Sequence, residues 1–253
     1  WEIVQLGPYS AQRGTGFVIS APVFSHESGF YSEDFELSIK AEAGTTVYYT
    51  LDCSLPNTES AKLTGTIHIY DRSSEDNRFR SIRNVQTDYL NKKESGKEPV
   101  EKAFIVRAMA VDGEGNISEV VTKTFFIGLD QYLDQNVISL VADPSDLFGS
   151  ERGIYVTGAE YDEWYKINRD TANEPEPHFM RRGAEWERPA SFALFREGRL
   201  YLSQETGIRI QGNAARKHVL KRFSIYSRKQ YSGSETFSHP IFDSHLSHSL
   251  VLR

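Results

Sequence analysis

The sequence predicts a mainly β protein in which an immunoglobulin-like β-sandwich is followed by a β-rich α+β domain. Short segments alternate apolar and polar residues, as residues 35–40 and 220–226 do. Turn signals such as Asp112-Gly113-Glu114-Gly115-Asn116 separate these segments. The 253 residues are 39% hydrophobic, which is enough for one large or two modest cores.

The sandwich is predicted at residues 21–128. Residues 1–20 have little periodicity, and we expect a linker or the end of a truncated preceding domain there. Residues 71–100 are predicted to form a polar insertion with a short helix near residues 84–92. The alternating or apolar segments that predict the strands are 35–40, 47–51, 66–70, 104–111 and 120–127.

The second domain is predicted at residues 137–253, after a short linker at residues 129–136. Apolar residues 137–141 predict a buried strand. A helix is expected at Ala159–Ile167, with its aromatic residues on one side. Residues 168–184 are polar and are expected to form a loop. The segments that predict an antiparallel meander are 191–196, 199–203, 207–211 and 220–228.

Composition and charge exclude several classes of protein. The net charge of −6 argues against nucleic acid as a partner. No apolar run approaches the roughly 20 residues of a membrane-spanning helix, so no membrane span is expected in this chain. Cys53 is the only cysteine, which rules out an intrachain disulfide. His245 and His248 lack Cys or acidic residues at a matching spacing, and no metal site is predicted.

Residues 207–226 predict a strand, a turn at Gly212 and Asn213, and a second strand. This hairpin concentrates positive charge in a chain of negative net charge. Such a cluster repels itself unless an anion lies nearby, so it indicates an anion site, with phosphate as one candidate. A solvated hairpin face is the alternative. The clustered cations are Arg209, Arg216, Lys217, Lys221 and Arg222.

The same hairpin resembles the N-terminal signature of the CotH family, the spore-coat-type atypical protein kinases. The carrying residues are Gly207-Ile208-Arg209-Ile210-Gln211-Gly212-Asn213-Ala214-Ala215-Arg216, then Lys221-Arg222-Phe223-Ser224. Ala214 and Ala215 stand where the family usually has hydroxyl residues. Further matching segments occur in order across residues 136–253, at 137–141, 143–148, 152–158, 185–190 and 239–242.

The resemblance implies that the second domain is an incomplete kinase-like N-terminal lobe. The chain is then a fragment of a bacterial surface or secreted protein. Its full-length form would phosphorylate protein Ser or Thr residues with ATP and Mg²⁺. Catalytic and metal-binding aspartates are expected beyond Arg253, so no catalytic or metal residue is assigned here. We expect the fragment to be inactive alone.

The resemblance also assigns candidate nucleotide-binding residues. Lys221 is the first candidate for contact with the phosphates, and Arg222 follows it on the same predicted strand. Arg209 and Arg216 are further candidates. Asn213 is expected either to orient a phosphate or to satisfy the backbone of the turn.

Glu185 and Glu187 are two residues apart, which places them on one face of a predicted strand. A glycosidase-like pair of carboxylates is one interpretation. A Glu–Arg network that fixes a kinase-like lobe is the other. In that network a glutamate could pair with the strand lysine.

The first domain resembles the chitobiase/β-hexosaminidase C-terminal-like domain. The carrying residues are Gly44-Thr45-Thr46-Val47-Tyr48-Tyr49-Thr50-Leu51-Asp52, then Ser54-Leu55-Pro56. Cys53 stands where that family normally has a glycine that suits a turn with positive φ. The aromatic residues of this domain predict either a sandwich core or a carbohydrate-stacking platform. They are Tyr48, Tyr49, Tyr70, Phe125 and Phe126.

A second functional class stays open. Both domains could belong to a non-catalytic cell-surface protein that binds glycans or proteins. The expected partners are therefore a nucleotide, a protein substrate, or a glycan or protein of the cell wall or spore coat.

Overall fold

The computed structural model describes residues 19–91, 98–167, 173–242 and 245–252. The prediction of a mainly β, sandwich-like fold is confirmed. The expected linker at residues 1–20 lies outside the described residues apart from Ile19 and Ser20. The described residues form two compact units, the first from those within 1–74, 101–141 and 191–203, and the second from those within 75–100, 142–190 and 204–253. The predicted domain boundaries stay a prediction.

Strands make up most of the regular structure. They are β1 (Val23–Phe24), β2 (Gly29–Tyr31), β3 (Phe35–Leu37), β4 (Ile39–Lys40), β5 (Thr46–Thr50), β6 (Ala61–Lys62), β7 (Ile67–Ile69), β8 (Phe104–Val111), β9 (Val121–Ile127), β10 (Val137–Ala142), β11 (Arg188–Arg196), β12 (Arg199–Gln211), β13 (Arg222–Tyr226) and β14 (Ser249–Leu252).

The helices are short. The α-helices are α1 (Pro144–Phe148), α2 (Ala159–Ile167) and α3 (Lys229–Ser232). The 3-10 helices are Tyr89–Asn91, Asp130–Tyr132, His178–Met180, Ala184–Trp186 and Ala214–Lys217. In the described part of the chain, no helix is both long enough and apolar enough to cross a membrane.

The first unit is built on a sheet in which β2, β9, β8, β5 and β6 follow one another. Strand β2 runs parallel to β9, and the other pairs in this run are antiparallel. The pairs β1–β4 and β3–β7 form two further small sheets. The start of β12 joins the run through Arg199 opposite Gly29.

Strand β9 shows why this unit has apolar residues on both sides of its sheet. Successive side chains of a strand point to opposite faces. Phe125 and Ile127 pack in the cluster that contains Leu37 and Ile69, whereas Phe126 packs with Phe195 in a second cluster. Because apolar clusters cover both faces of the sheet here, the last three residues of β9, Phe125 to Ile127, are all apolar.

The aromatic residues of the first unit mostly form core. Phe125 is fully buried, and Tyr48 and Phe126 are less than a tenth exposed. Tyr49 packs partly buried against the main cluster, and Tyr70 is 37% exposed. Of the two interpretations of these residues, the structure favours the sandwich core.

Cys53 occupies the turn position at which the resemblance expects a glycine, and its φ of 69° lies in the left-handed region. A side chain in that region costs about 1 kcal/mol. We expect Cys53→Gly to raise the free energy of unfolding, by less than about 1 kcal/mol because glycine also makes the unfolded chain more flexible. Urea unfolding of this variant and of a Cys53→Ala control measures the effect. A Cys53→Gly protein no more stable than the alanine variant would contradict this explanation.

Residues from the predicted insertion belong to the second unit. The carbonyl of Asn84 accepts a hydrogen bond from the backbone N–H of Thr157 at 2.8 Å, and its side-chain amide donates to Asp162 at 2.7 Å. Tyr89 packs in a buried cluster with Tyr161 and Tyr165 of α2. Asn84 and Tyr89 therefore tie this segment to the second unit, where Tyr89 contributes to a buried cluster.

The helix expected near residues 84–92 is shorter than predicted. The structure has a single 3-10 turn at Tyr89–Asn91. Asp88, immediately before it, has a φ of 59°, and a left-handed residue cannot continue a right-handed helix. Residue 92 lies outside the described residues. The predicted helix at Ala159–Ile167 and the predicted strand at 137–141 are confirmed as α2 and β10.

Candidate anion-binding cleft

The hairpin of the second unit forms as predicted in its main features. The end of β12 pairs with β13 in an antiparallel register from Gly207 opposite Tyr226 to Gln211 opposite Arg222. Gly212 has a φ of 108°, a conformation that glycine adopts without strain. The 3-10 helix Ala214–Lys217 follows the turn. The second strand begins at Arg222, so the expectation that Lys221 lies on it is wrong by one residue.

A cleft of about 540 Å³ opens beside the turn of this hairpin. One wall comes from β12, the turn and β13, and the other from residues 178–186. Among the described residues, no Asp or Glu lines the cleft. A group of guanidinium side chains around a concave surface is suited to bind an anion. The arginines that line it are Arg181, Arg182, Arg209 and Arg216.

Arg209 is held on the hairpin wall by two contacts. Its guanidinium lies over the ring of Tyr226, with the central carbon 4.3 Å from the ring centroid. Its Nε lies 3.5 Å from a carboxylate oxygen of Glu187. The side chain keeps 26% of its surface exposed. Arg209 is therefore positioned but still accessible to a ligand.

Glu187 is the buried carboxylate behind this wall, with a side chain only 3% exposed. Arg228 donates to both of its oxygens, at 2.7 and 2.9 Å. Such a bidentate pair fixes the carboxylate plane. Gly207 makes room for it, since a β-carbon there would lie 2.3 Å from a Glu187 oxygen.

The prediction that Glu185 and Glu187 share one face of a strand is wrong. Glu185 lies in the 3-10 helix Ala184–Trp186, and β11 begins at Arg188, after both glutamates. The strand geometry that would place both carboxylates on one face is therefore absent. The Glu–Arg network is present, but its arginines are Arg228 and Arg209.

Arg181 and Arg182 were not predicted as site residues. Arg181 lies over the Trp186 ring at 5.0 Å and pairs with Glu160 at 3.2 Å. Arg182 is exposed and donates to the carbonyl of Gly212 at 3.2 Å and to the side-chain oxygen of Asn213 at 3.3 Å. In the sequence, the two adjacent arginines between His178 and Trp186 are the feature that could have indicated this wall of the cleft.

Asn213 makes hydrogen bonds both within the turn and with the opposite wall of the cleft. Its side-chain oxygen accepts from Arg182, and its carbonyl accepts from the backbone N–H of Arg216 at 3.1 Å. Its side chain is exposed beside the cleft that it lines. Contact with a phosphate stays a prediction for this residue.

Arg216 is only 6% exposed, and its donors serve the protein itself. They reach the carbonyls of Gly212 and Ile210 on the hairpin, and those of Phe179 and Arg181 on the other wall. Burial and the neighbouring Arg182 and Arg209 lower the pKa of Arg216. Arg216 thus joins the two walls of the cleft.

Lys221 and Arg222 do not line the cleft. Lys221 is 9% exposed, and its ammonium donates to the carbonyls of Val85 at 2.6 Å, Arg216 at 2.7 Å and His218 at 2.7 Å. It also lies 4.1 Å above the ring centroid of Phe179. Burial lowers its pKa to about 7. Arg222 is exposed at the start of β13.

His178 lies on the second wall as a buried side chain, 6% exposed. Its Nδ1 lies 3.2 Å from the carbonyl of Gly153, which favours the tautomer that carries the proton on Nδ1. Burial, with the charges of Arg181 and Arg188, lowers its pKa. His178 is therefore neutral at pH 7 and adds no further charge to the cleft. In the described part of the chain, no group of three or more His, Cys, Asp or Glu side chains is arranged to hold a metal ion.

Comparison with known proteins adds one finding. A family model described as Fn3 associated matches residues 35–125. This match supports the β-sandwich-like domain predicted in that part of the chain. No curated protein and no solved structure matches the chain.

Proposed function

We propose that the second unit binds the phosphate groups of ATP in the arginine cleft, as the nucleotide-binding part of a kinase-like protein of the CotH type. The full-length protein would then transfer phosphate to protein Ser or Thr residues at the bacterial surface or outside the cell. One observation carries the proposal. The turn that bears the resemblance, Gly212 and Asn213, borders a cleft lined by four arginines and, among the described residues, by no carboxylate.

The residues of the cleft fit the phosphates of ATP. Guanidinium groups present paired N–H donors that match two phosphate oxygens. Arg209 and Arg182 keep accessible surface, and both already lie at the turn. Mg²⁺ is usually held by one or two carboxylates together with the phosphates, and among the described residues no carboxylate lines this cleft. Its ligands would have to come from elsewhere in the full-length protein.

In this proposal Lys221 has a structural role. Its three carbonyl acceptors use the three N–H donors of an ammonium group. Contact with a phosphate would require breaking at least one of these bonds. We therefore assign the phosphate contacts to Arg209 and Arg182, with Asn213 beside them.

Calorimetry with ATP, with and without Mg²⁺, tests the proposal. We expect Arg209→Gln to weaken ATP binding by about tenfold or more, because a hydrogen bond to a charged group contributes about 1.5–3 kcal/mol. Arg222→Gln is the matched control, since Arg222 is on the same hairpin but outside the cleft. Absence of ATP binding by the unmodified chain, or an equal loss in both variants, would overturn the proposal.

A second candidate is a non-catalytic cell-surface module that binds glycans or proteins. The observation in its favour is the engagement of Lys221 by three backbone carbonyls, which removes the first candidate for a kinase-like phosphate contact. Screening the chain against acidic and neutral glycans distinguishes the two candidates. Glycan binding together with no detectable ATP binding would favour this module.

A further inference from the structure

We propose that the arginine cleft is a base-independent polyphosphate site: it recognises a chain of two or three phosphate groups and makes no stacking contact with a nucleobase. The inference deepens the proposed nucleotide binding and rests on the same cleft. It concerns which part of the ligand the cleft recognises.

The aromatic rings of the cleft are the first argument. A nucleobase is usually held against an aromatic face. The Trp186 ring already carries the guanidinium groups of Arg181 at 5.0 Å and Arg188 at 5.3 Å. The His178 ring also contacts Trp186, and the centroids of the two rings are 4.8 Å apart. A base that stacked on Trp186 would have to displace one of these neighbours.

Tyr226 is covered in the same way. The guanidinium carbon of Arg209 lies 4.3 Å from its ring centroid, and that of Arg228 lies 4.7 Å from it. Both arginines are tied to the buried carboxylate of Glu187, at 3.5 and 2.7 Å. Moving either guanidinium away would break an ion pair with a carboxylate that is only 3% exposed. The cleft therefore presents charge and offers no uncovered ring of Trp186 or Tyr226.

The fixed positions of the arginines are the second argument. Arg181 is held by Glu160 at 3.2 Å, Arg209 by Glu187, and Arg182 by the carbonyl of Gly212 at 3.2 Å. Neither glutamate lines the cleft. Glu187 is buried and holds Arg209 from outside the cleft, whereas Glu160 is 70% exposed, so the smaller loss of side-chain freedom on binding applies mainly to Arg209. Several cations around one cleft suit a ligand with several adjacent negative charges.

The charge of the cleft decides the class of ligand. Arg181, Arg182, Arg209 and Arg216 surround about 540 Å³ with no lining carboxylate among the described residues. Glu160 and Glu187, which lie outside the lining, offset part of this charge through Arg181 and Arg209, and the several guanidinium groups along the cleft suit a ligand with more than one negative group. Pyrophosphate, tripolyphosphate and the phosphates of a nucleoside triphosphate carry enough charge, and they share the chemistry that the guanidinium groups recognise.

Calorimetry on the chain with tripolyphosphate, pyrophosphate, ATP, GTP and adenosine tests the inference. We expect dissociation constants for tripolyphosphate, ATP and GTP within about threefold of one another, and no detectable binding of adenosine. Arg209→Gln and Arg182→Gln should each weaken the three ligands alike, by about tenfold or more. Arg222→Gln should change them by less than twofold. The melting temperature of each variant verifies that it is folded.

The outcomes separate this inference from the proposed function. ATP binding at least tenfold tighter than both GTP and tripolyphosphate would overturn the inference and leave the proposed nucleotide site intact. Binding of tripolyphosphate without detectable binding of ATP or GTP would overturn both, because a site that recognises only the phosphate chain must also accept a nucleoside triphosphate. Equal losses in Arg209→Gln and Arg222→Gln would show non-specific attraction to the hairpin and overturn both.

Discussion

Replacing Lys221 by methionine is expected to lower the free energy of unfolding by about 3 kcal/mol. Methionine keeps most of the packing against Phe179 and Tyr155 but removes the donor shared by three carbonyls. A buried acceptor left without a donor costs about 1–3 kcal/mol, and the exposed His218 can recover water at its own carbonyl. The expected total therefore lies below the sum of three full penalties.

Urea unfolding of Lys221→Met beside Arg222→Met measures this effect. Arg222 is the next residue and is exposed, so its replacement should change the stability by less than about 0.5 kcal/mol. At pH 6, below the pKa of Lys221, the two substitutions remove one positive charge each, which cancels the general effect of net charge. Equal stability of the two variants would show that the ammonium of Lys221 does not hold the residues around Val85.

The pH dependence of stability gives a second test of Lys221. Burial lowers the pKa of Lys221 in the folded protein to about 7, from 10.5 for an ordinary lysine. Between these values the unfolded chain binds this proton and the folded chain does not, so stability should rise with pH across the window. Lys221→Met should lack this rise. A rise of the same slope in both proteins would contradict a lowered pKa at this lysine.

Replacing Arg216 by methionine is expected to be the most damaging single change at the cleft, with a loss of about 4 kcal/mol or more. The guanidinium serves carbonyls of Ile210 and Gly212 on one wall and of Phe179 and Arg181 on the other. Its removal leaves several buried acceptors without a donor, at about 1–3 kcal/mol each. It also removes the connection that holds the two walls of the cleft together.

Lys217→Met is the control for this prediction, because Lys217 follows Arg216 in the same 3-10 helix and is exposed. Thermal unfolding should show a large drop in melting temperature for Arg216→Met and almost none for Lys217→Met. Arg216→Lys should recover only a small part of the loss, since an ammonium cannot reach four separated carbonyls in the planar arrangement of a guanidinium. Full recovery by lysine would show that charge alone explains the effect.

The sequence predicted the features that depend on periodicity. The aromatic residues of α2 recur in the sequence at helical spacing, and in the structure Tyr161 and Tyr165 lie on its buried side. The hairpin of β12 and β13 follows from alternation around Gly212 and Asn213. These patterns act locally, so no knowledge of distant residues is needed to interpret them.

The roles of charged residues depended on distant parts of the chain, and the sequence could not predict them. From the sequence, Lys221 is expected to be a strand lysine available to a ligand. In the structure its ammonium donates to the carbonyl of Val85, which lies more than a hundred positions earlier. Glu187 finds its partner in Arg228, and the segment that carries Arg181 and Arg182 has no periodicity to mark it. The electrostatic environment of a side chain is set by tertiary packing, which spacing along a single sequence does not encode.

A crystal structure of the chain with bound ATP tests the central claim most directly, because it shows where the phosphates lie. We predict phosphate oxygens within hydrogen-bond distance of the guanidinium groups of Arg182 and Arg209. We also predict that the ammonium of Lys221 keeps its bonds to the carbonyls of Val85, Arg216 and His218. Phosphates bound to the ammonium of Lys221, or an ATP molecule that avoids the arginine cleft, would contradict the account.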